Sequence, residues 1–349
     1  MSIAVYDFSC NPKMTWLNVN SGCNMRCKWC YNGMKSVTAG GEMSLSLARE
    51  LVDISKELGV THVNIIGGEP TLWAGLFELN DYIRAVGLGS GLITNAMRFS
   101  EDAFLDAYRA HPNDRISISV KSADEEEFLR VTGSREFGHT QSGICRALEL
   151  FDTGVTTVYN SLVGFEGLRR IAERSRELGA RSIIVNMCSP VLKNGKAELG
   201  YSIPAERIAE ETVAIADMLE ALYADEYELD IQMPLCLFPE EFVDAMLLRG
   251  KIQTICQMFS RGGLNFNTEG DVLPCNELHE TIIARRGIDF NDAKSLYTHL
   301  NREALREFYA GLLRYPSAQC DVCRRRDDCR GGCLMNWLIY EPSICRAVK

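Results

Sequence analysis

No stretch of this 349-residue chain approaches the roughly 18 consecutive apolar residues that a membrane span needs. Basic tracts are missing as well, and the formal net charge is −10. That balance argues against nucleic acid and against a membrane as the main partner. There is no secretory signal, because Asp7, Asn11 and Lys13 interrupt any apolar core near the start. No repeat of fixed period and no low-complexity stretch is visible. The chain nevertheless has 14 cysteines. Without an export signal they read as metal ligands in a reducing cytoplasm, not as disulfides. A hydrophobic content of 46% is enough for a full core, and the length suits two domains or one elaborated barrel.

Three of the cysteines share one short loop, Gly22-Cys23-Asn24-Met25-Arg26-Cys27-Lys28-Trp29-Cys30-Tyr31, with the spacing CX3CX2C. A cubane [4Fe–4S] cluster has four irons, so three thiolates from one loop leave the fourth open to a substrate or cofactor. Zinc is the alternative, but structural zinc sites usually use paired C-x2-C units, which the X3 spacing fits poorly. Further on, an apolar run ends in Gly67-Gly68-Glu69-Pro70. Glycines let backbone approach a ligand closely. Pro70 ends the strand without wasting a ladder donor, and the Glu69 carboxylate suits an ammonium.

Loop and strand end together resemble the signature of radical S-adenosylmethionine (SAM) enzymes, in which an aromatic residue precedes the third cysteine; here it is Trp29. The resemblance implies a [4Fe–4S] cluster on Cys23, Cys27 and Cys30 whose open iron chelates the amino and carboxylate groups of SAM. It implies that Gly67, Gly68, Glu69 and Pro70 bind the methionyl ammonium. Trp29 would pack on the adenine face or simply anchor the loop. Ser122 and Asn160 fall where relatives bind ribose and carboxylate, or are polar strand ends; Thr94-Asn95 ends another strand. One electron, from a donor such as a flavodoxin or ferredoxin, would cleave SAM to a 5′-deoxyadenosyl radical that abstracts a hydrogen atom. The cofactor carries that chemistry and the protein orients and shields it.

Between residues 14 and 233, apolar runs alternate with amphipathic segments. The runs His62–Ile66, Gly91–Thr94, Arg115–Val120, Val155–Val163, Ser182–Met187 and Tyr227–Met233 read as strands. Ser44–Leu58, Leu72–Val86, Ser100–Ala110, Ala123–Val131, Phe165–Leu178 and Pro204–Tyr223 read as helices. Such alternation means parallel βαβ units, here an α/β fold with a partial (β/α)6 TIM-type barrel over 1–235, as the resemblance also implies. Ligands gather at the carboxyl ends of such strands. A bridge over 236–255 leads to a small cysteine-rich α+β domain over 256–349, in which Asn267–Asp271 reads as a hairpin turn.

Cys256, Cys275, Cys320, Cys323, Cys329, Cys333 and Cys345 give this tail CX2CX5CX3C between 320 and 333, flanked by outlying cysteines. It resembles the SPASM extension, which carries auxiliary iron–sulfur clusters; paired zinc sites are the alternative. The resemblance assigns Cys320, Cys323, Cys329 and Cys345 to one auxiliary [4Fe–4S] cluster and Cys256, Cys275 and Cys333 to another, three clusters in all. Sulfatase-maturing relatives add a cysteine shortly after the position of Cys256, where this chain has none. The fourth position is therefore open, or is filled by His279, Cys236 or a substrate atom. Those relatives also place an aspartate base where this chain has Asn276, which argues against that activity.

The expected function is oxidative cross-linking or backbone rearrangement of a ribosomally made precursor peptide. Only 22 residues precede Cys23, too few for a leader-binding domain. Leader recognition would need a separate partner protein or the barrel surface. An aminosugar is the other substrate considered, and the acidic excess suits either a basic peptide or an aminosugar weakly. An epimerase is the alternative reaction. Its hydrogen donor would be a thiol after a strand, Cys236 in preference to Cys188, while Cys10 and Cys145 read as inert. A non-catalytic iron–sulfur electron carrier is the remote third reading.

Overall fold

The computed structural model describes residues 10–32, 41–312 and 316–340. Cys345 lies outside them. Strand and helix alternate as the hydrophobic pattern predicts. β1 (Met14–Asn18) is followed by α1 (Leu45–Glu57), β2 (His62–Ile66), α2 (Leu76–Ala85), β3 (Gly89–Thr94), α3 (Asp102–Ala110) and β4 (Arg115–Ser119). Then come α4 (Glu125–Thr132), α5 (Phe137–Leu150), β5 (Thr153–Tyr159), α6 (Gly164–Glu177) and β6 (Ile183–Met187). A hairpin of β7 (Val191–Lys193) and β8 (Lys196–Glu198) precedes α7 (Ala205–Tyr223), β9 (Tyr227–Asp230), α8 (Glu240–Leu248) and β10 (Ile252–Gln253). β11 (Gly263–Phe266) and β12 (Val272–Leu273) form the expected hairpin around Asn267–Asp271.

β1 to β6 lie side by side in chain order and all pair in parallel, the open barrel. The sheet does not stop there. β9 and β10 extend it beyond β6, and β11 pairs in parallel with β1. One ten-stranded sheet thus runs through the segments read from sequence as barrel, bridge and tail. The tail also has a small core of its own around Met258, Phe259, Leu278, Tyr309 and Met335. No helix of the described residues is long and apolar enough to cross a membrane.

The period of two along each strand sorts side chains between helices and interior. Leu17, Val63, Ile65, Leu92, Ile116, Ile118, Val155, Ile183, Val185 and Leu229 are buried under the helices. Their neighbours Trp16, Ile66, Ile93, Ser119, Val158, Asn186 and Asp230 line a central cavity. Capping fixes the helix starts: Ser44 accepts from Leu47 N–H at the head of α1, and Asp124 accepts from Glu127 N–H at the head of α4. Two elements escape the sequence reading. α5 was not separated from its surroundings. The β7–β8 hairpin turns on Asn194-Gly195, both at positive φ, a dipeptide suited to that turn. The amides of Asn194 and Gly195 donate to Glu280 at 2.9 and 3.0 Å, tying the hairpin to the tail.

Candidate active site

β1 delivers the cysteine loop to the carboxyl end of the sheet, and the end of α4 holds it there. Arg26 N–H donates to Thr132 O at 2.6 Å and Lys28 N–H to Val131 O at 3.1 Å. Cys30 N–H closes a turn onto Cys27 O, and Met25 N–H donates to Cys23 Sγ. Cys23, Cys27 and Cys30 thereby face one cavity. Burial pushes the Cys23 thiol up to about 12, and the nearby Glu69 carboxylate adds to the shift. Burial raises Cys27 to about 11, against the pull of the Lys121 ammonium. Such thiols keep their protons until a metal replaces them.

The Gly67–Pro70 strand end lies directly on this loop. Gly68 N–H donates to Asn20 O at 2.7 Å and Glu69 N–H to Gly22 O at 2.9 Å. Asn20 Nδ2 donates back to Glu69 O at 2.9 Å. A side chain at Gly68 would collide with the backbone of Ser21 and Gly22, and one at Gly67 with that of Asn20. The glycines serve the contact between two backbone segments.

Glu69 is 1% exposed and its carboxylate is clamped. Thr71 N–H, Thr71 Oγ1 and Thr94 Oγ1 donate to Oε1 at 3.2, 2.7 and 2.6 Å, and Asn95 N–H donates to Oε2 at 2.8 Å. Burial raises its pKa and these donors oppose the rise. Asn95 Nδ2 also reaches Asn24 Oδ1 in the cysteine loop. Three successive strand ends are therefore stitched together around one carboxylate.

The cavity measures about 380 Å3, within the range of ligand pockets. Trp29, Gly67, Gly68, Glu69, Thr94 and Asn95 line it with the loop thiols. Pro70 does not line it; it opens a short 3-10 turn over residues 70–72. Ser122 and Asn160 also lie off the cavity, and local turns occupy their polar atoms. Ser122 Oγ donates to Glu127 Oε2 at 2.8 Å and accepts from Asp124 N–H. Asn160 Oδ1 accepts from Leu162 and Val163 N–H, while its Nδ2 donates to Val158 O. Ser119 and Lys121 face the cavity instead.

The tail closes the far side. Cys333 N–H donates to Gln232 O at 2.7 Å, just beyond β9, and the Cys333 side chain lines the cavity. Its thiol is hydrogen-bonded to Cys256, and it lies close enough to Cys275 to disfavour the Cys275 thiolate. Cys256, Cys275 and Cys333 are thus brought together. Cys320, Cys323 and Cys329 form a second group, and Cys236 stands beside it. Leu235 N–H donates to Cys329 Sγ at 3.3 Å, and both Cys320 and Cys329 sense the Cys236 thiol. Cys236 does not line the cavity, whereas Cys188 does. Thiols around a tetrahedral zinc would sit about 3.8 Å apart. Among the described residues no three His, Cys, Asp or Glu side chains converge as ligands of a single ion do. Thiolates are the donors an iron–sulfur cluster takes, and each of the three groups supplies three of them among the described residues.

Two further carboxyl groups, Asp230 and Glu277, line the cavity. Asp230 ends β9; its alternation with buried Leu229 is the signal that points it inward. Burial moves its pKa from 3.8 to about 7, and Glu277 adds to the shift. Glu277 follows Cys275 by two residues in an irregular loop, where no periodicity marks it.

Comparison with known proteins agrees with this geometry. Residues 17–178 match the model of the radical SAM superfamily. That segment is a radical SAM domain. The match covers β1 to α6, with the cysteine loop and the Gly67–Pro70 turn inside it. Radical SAM enzymes hold a [4Fe–4S] cluster and SAM, so the electron-carrier reading is set aside. The chain is similar to the PqqA peptide cyclase of Xanthomonas campestris, 24% identical over 327 residues, covering 92% of this chain and 82% of that protein. The corresponding Bradyrhizobium diazoefficiens protein is 26% identical over 338 residues, covering 92% of this chain and 81% of that one. In fold it resembles Streptococcus suis SuiB bound to S-adenosylmethionine, with a TM-score of 0.70, 16% identity, and 97% of this chain and 77% of that one covered. It also resembles native anSMEcpe with bound AdoMet, with a TM-score of 0.66, 17% identity, and 96% and 93% covered. Both likenesses extend through the cysteine-rich tail.

Proposed function

We propose that this radical SAM enzyme oxidatively modifies a ribosomally made peptide, forming a cross-link or rearranging the backbone. The observation that carries the reading is that Cys333, from the tail triad, lines the same cavity as Cys23, Cys27 and Cys30. The PqqA peptide cyclases, similar over nearly the whole chain, point to a peptide substrate, as does the SuiB structure bound to the precursor peptide SuiA.

Cys23, Cys27 and Cys30 would hold the SAM-binding cluster. Glu69, fixed by its four donors, would face the methionyl ammonium beside the Gly67–Gly68 backbone, and Trp29 would cover the adenine. When bound, cluster and SAM supply the radical that removes a hydrogen atom from an unactivated C–H bond. The cavity walls keep water and other hydrogen donors from the reacting carbon. Oxidative modification then requires the product radical to give up an electron. Cys256, Cys275 and Cys333 would place an auxiliary cluster at the cavity wall to receive it. Cys320, Cys323, Cys329 and Cys345 would hold the outer cluster, with Cys236 beside it. Ser122 and Asn160 act as turn caps in this scheme, not as cofactor ligands.

A second reading rests on Cys188. This buried thiol lines the cavity at the end of β6, and a thiol there suits hydrogen return in an epimerase.

Anaerobic reconstitution tests the cofactor set. About twelve irons per chain are expected from three cubanes. Replacing Cys23, Cys27 and Cys30 by Ala should remove about a third of the iron and abolish SAM cleavage. Iron that stops at about four per chain refutes the auxiliary clusters, and SAM cleavage by the triple variant refutes the loop assignment.

A further inference from the structure

The cysteine loop has two faces. Met25, Cys27, Trp29 and Cys30 line the cavity, whereas Arg26 and Lys28, set between them, do not. The outer face abuts the end of α4. Arg26 N–H and Lys28 N–H donate to Thr132 O and Val131 O there, and Arg26 Cβ is 3.5 Å from where a Cβ on Gly133 would fall. This helix end contributes Arg130 and, two residues past Gly133, the exposed Arg135. Arg170 of α6 reaches the same place, because it and Arg130 share the Glu127 carboxylate at 3.7 and 3.2 Å.

Little acid offsets these cations. Residues 22–32 and 128–135 contain no Asp or Glu. Glu127 is divided between two arginines, and Glu136 faces His139 at 3.9 Å. Asp124, Glu125 and Glu126 stand at the opposite end of α4. Arg26 donates to Cys23 O and Met25 O of its own loop at 2.5 and 2.7 Å. Among the described residues neither it nor Lys28 nor Arg135 forms an ion pair. A chain of net charge −10 therefore has one cationic edge, and that edge is the outer face of its cofactor loop. The α4 C-terminus accounts for Arg130; it does not account for Lys28 on the loop.

Breaking the C–S bond of a sulfonium to leave a carbon radical takes one electron from outside the protein. Cys27 stands between Arg26 and Lys28 in the chain, so one residue of backbone separates the outer cations from a thiolate of the cavity. We propose that this edge docks an acidic one-electron carrier protein, with its redox centre against the outer face of the cysteine loop. The inference rests on the reading of Cys23, Cys27 and Cys30 as ligands of the SAM-binding cluster. The carrier is oxidised by one electron, which ends in the broken C–S bond of SAM. Methionine and the 5′-deoxyadenosyl radical are the products, and no proton or group crosses the interface. Opposite charges steer such an encounter and set its orientation, and added salt weakens it.

The test uses the reconstituted full chain and SAM, with reduced flavodoxin, reduced ferredoxin or dithionite as electron source. The double variant Lys28→Glu/Arg135→Glu is compared with Lys13→Glu/Arg181→Glu, which reverses two exposed charges before β1 and β6, at the amino end of the sheet. Arg135→Glu alone leaves the loop sequence intact should the double variant lose iron. Two quantities are read: the Kd for each oxidised carrier at low and high salt, and carrier-driven 5′-deoxyadenosine release divided by the dithionite-driven rate of the same sample. For at least one carrier the double variant should raise the low-salt Kd about tenfold or more, flatten its salt dependence, and lower the ratio in step. Arg135→Glu should do the same by about threefold, and the amino-end variant should stay within about twofold of the parent. A parent that binds neither carrier at low salt, or variants that bind both as the parent does, would overturn the docking while the loop assignment stands. Equal losses of carrier-driven and dithionite-driven cleavage at unchanged Kd would show that the cations serve the cluster, and would overturn it too. If the parent fails to cleave SAM with dithionite, the cluster reading falls and the docking with it.

Discussion

Gly68→Ala is the sharpest single perturbation of the proposed SAM site, because one added methyl group strikes backbone on the neighbouring strand end. Gly68 is not at a positive φ, so alanine has no conformational penalty there and the effect is purely one of space. The new Cβ would fall on the Gly22 carbonyl and lie 2.7 Å from Ser21 O, against an ordinary contact of 3.4 Å or more. At least about 0.7 Å of separation must therefore be found, and no flexible side chain is available to yield. Overpacking of this kind costs about 1–3 kcal/mol. The hydrogen bonds Gly68 N–H to Asn20 O and Glu69 N–H to Gly22 O add about 1 kcal/mol each if they break. The total is about 3–5 kcal/mol, or else the Gly67–Pro70 segment moves off the cysteine loop. Either response separates Glu69 from the three thiols. A displacement near 1 Å in a catalytic constellation costs about 100-fold in rate. The assay is 5′-deoxyadenosine release from SAM under dithionite, with iron content and thermal midpoint measured on the same sample. Gly138→Ala is the control, since its Cβ would meet nothing within 4 Å and the residue lies in the first turn of α5. A Gly68→Ala enzyme that cleaves SAM within about threefold of the parent would refute the argument from close approach.

Two further outcomes follow from the cavity. Asp230 has a native pKa of about 7, above its ordinary 3.8, so its burial costs nothing at low pH and progressively more as pH rises from about 4 through 7. Asp230→Asn should therefore leave the apo protein's thermal midpoint unchanged near pH 4 and raise it above pH 7, with a ceiling of about 4 kcal/mol; a pH-independent difference would contradict this. For the two thiols, turnover of the true peptide in deuterated buffer decides the reaction class. Cys236→Ala should change iron content before it changes product stereochemistry. Product that gains one solvent deuterium with no other mass change in the parent, and none in Cys188→Ala, would establish the epimerase.

The signals that survive from sequence to structure are the local ones. CX3CX2C lies within one turn-rich loop, so spacing alone brings its thiols together. The strand at residues 62–66 and the helix that begins at Ser44 depend on neighbours a few residues away. Six parallel strands follow from alternation of apolar runs and amphipathic helices. The CX2CX5CX3C run keeps Cys320, Cys323 and Cys329 within one short stretch for the same reason, whereas Cys256 and Cys275 reach Cys333 only through the tertiary fold. What a lone polar or sulfur side chain does was not legible, because that depends on which way a strand end points. Ser122 and Asn160 have the residue types of cofactor ligands, yet each satisfies backbone amides of its own turn. Cys188 and Cys236 both follow strands. Only the path of the chain after β9, held by Cys333 N–H on Gln232 O, sends Cys236 to the outer thiols and leaves Cys188 in the cavity. Glu277 has no periodicity to betray it. It reaches the cavity when the tail folds back so that β11 pairs with β1, which brings it to the same cavity as Asp230. The sequence by itself determined the cofactor loop and the barrel. The tertiary structure alone decided which acids and thiols share the cavity, because that convergence is made by sheet pairing between segments more than 200 residues apart.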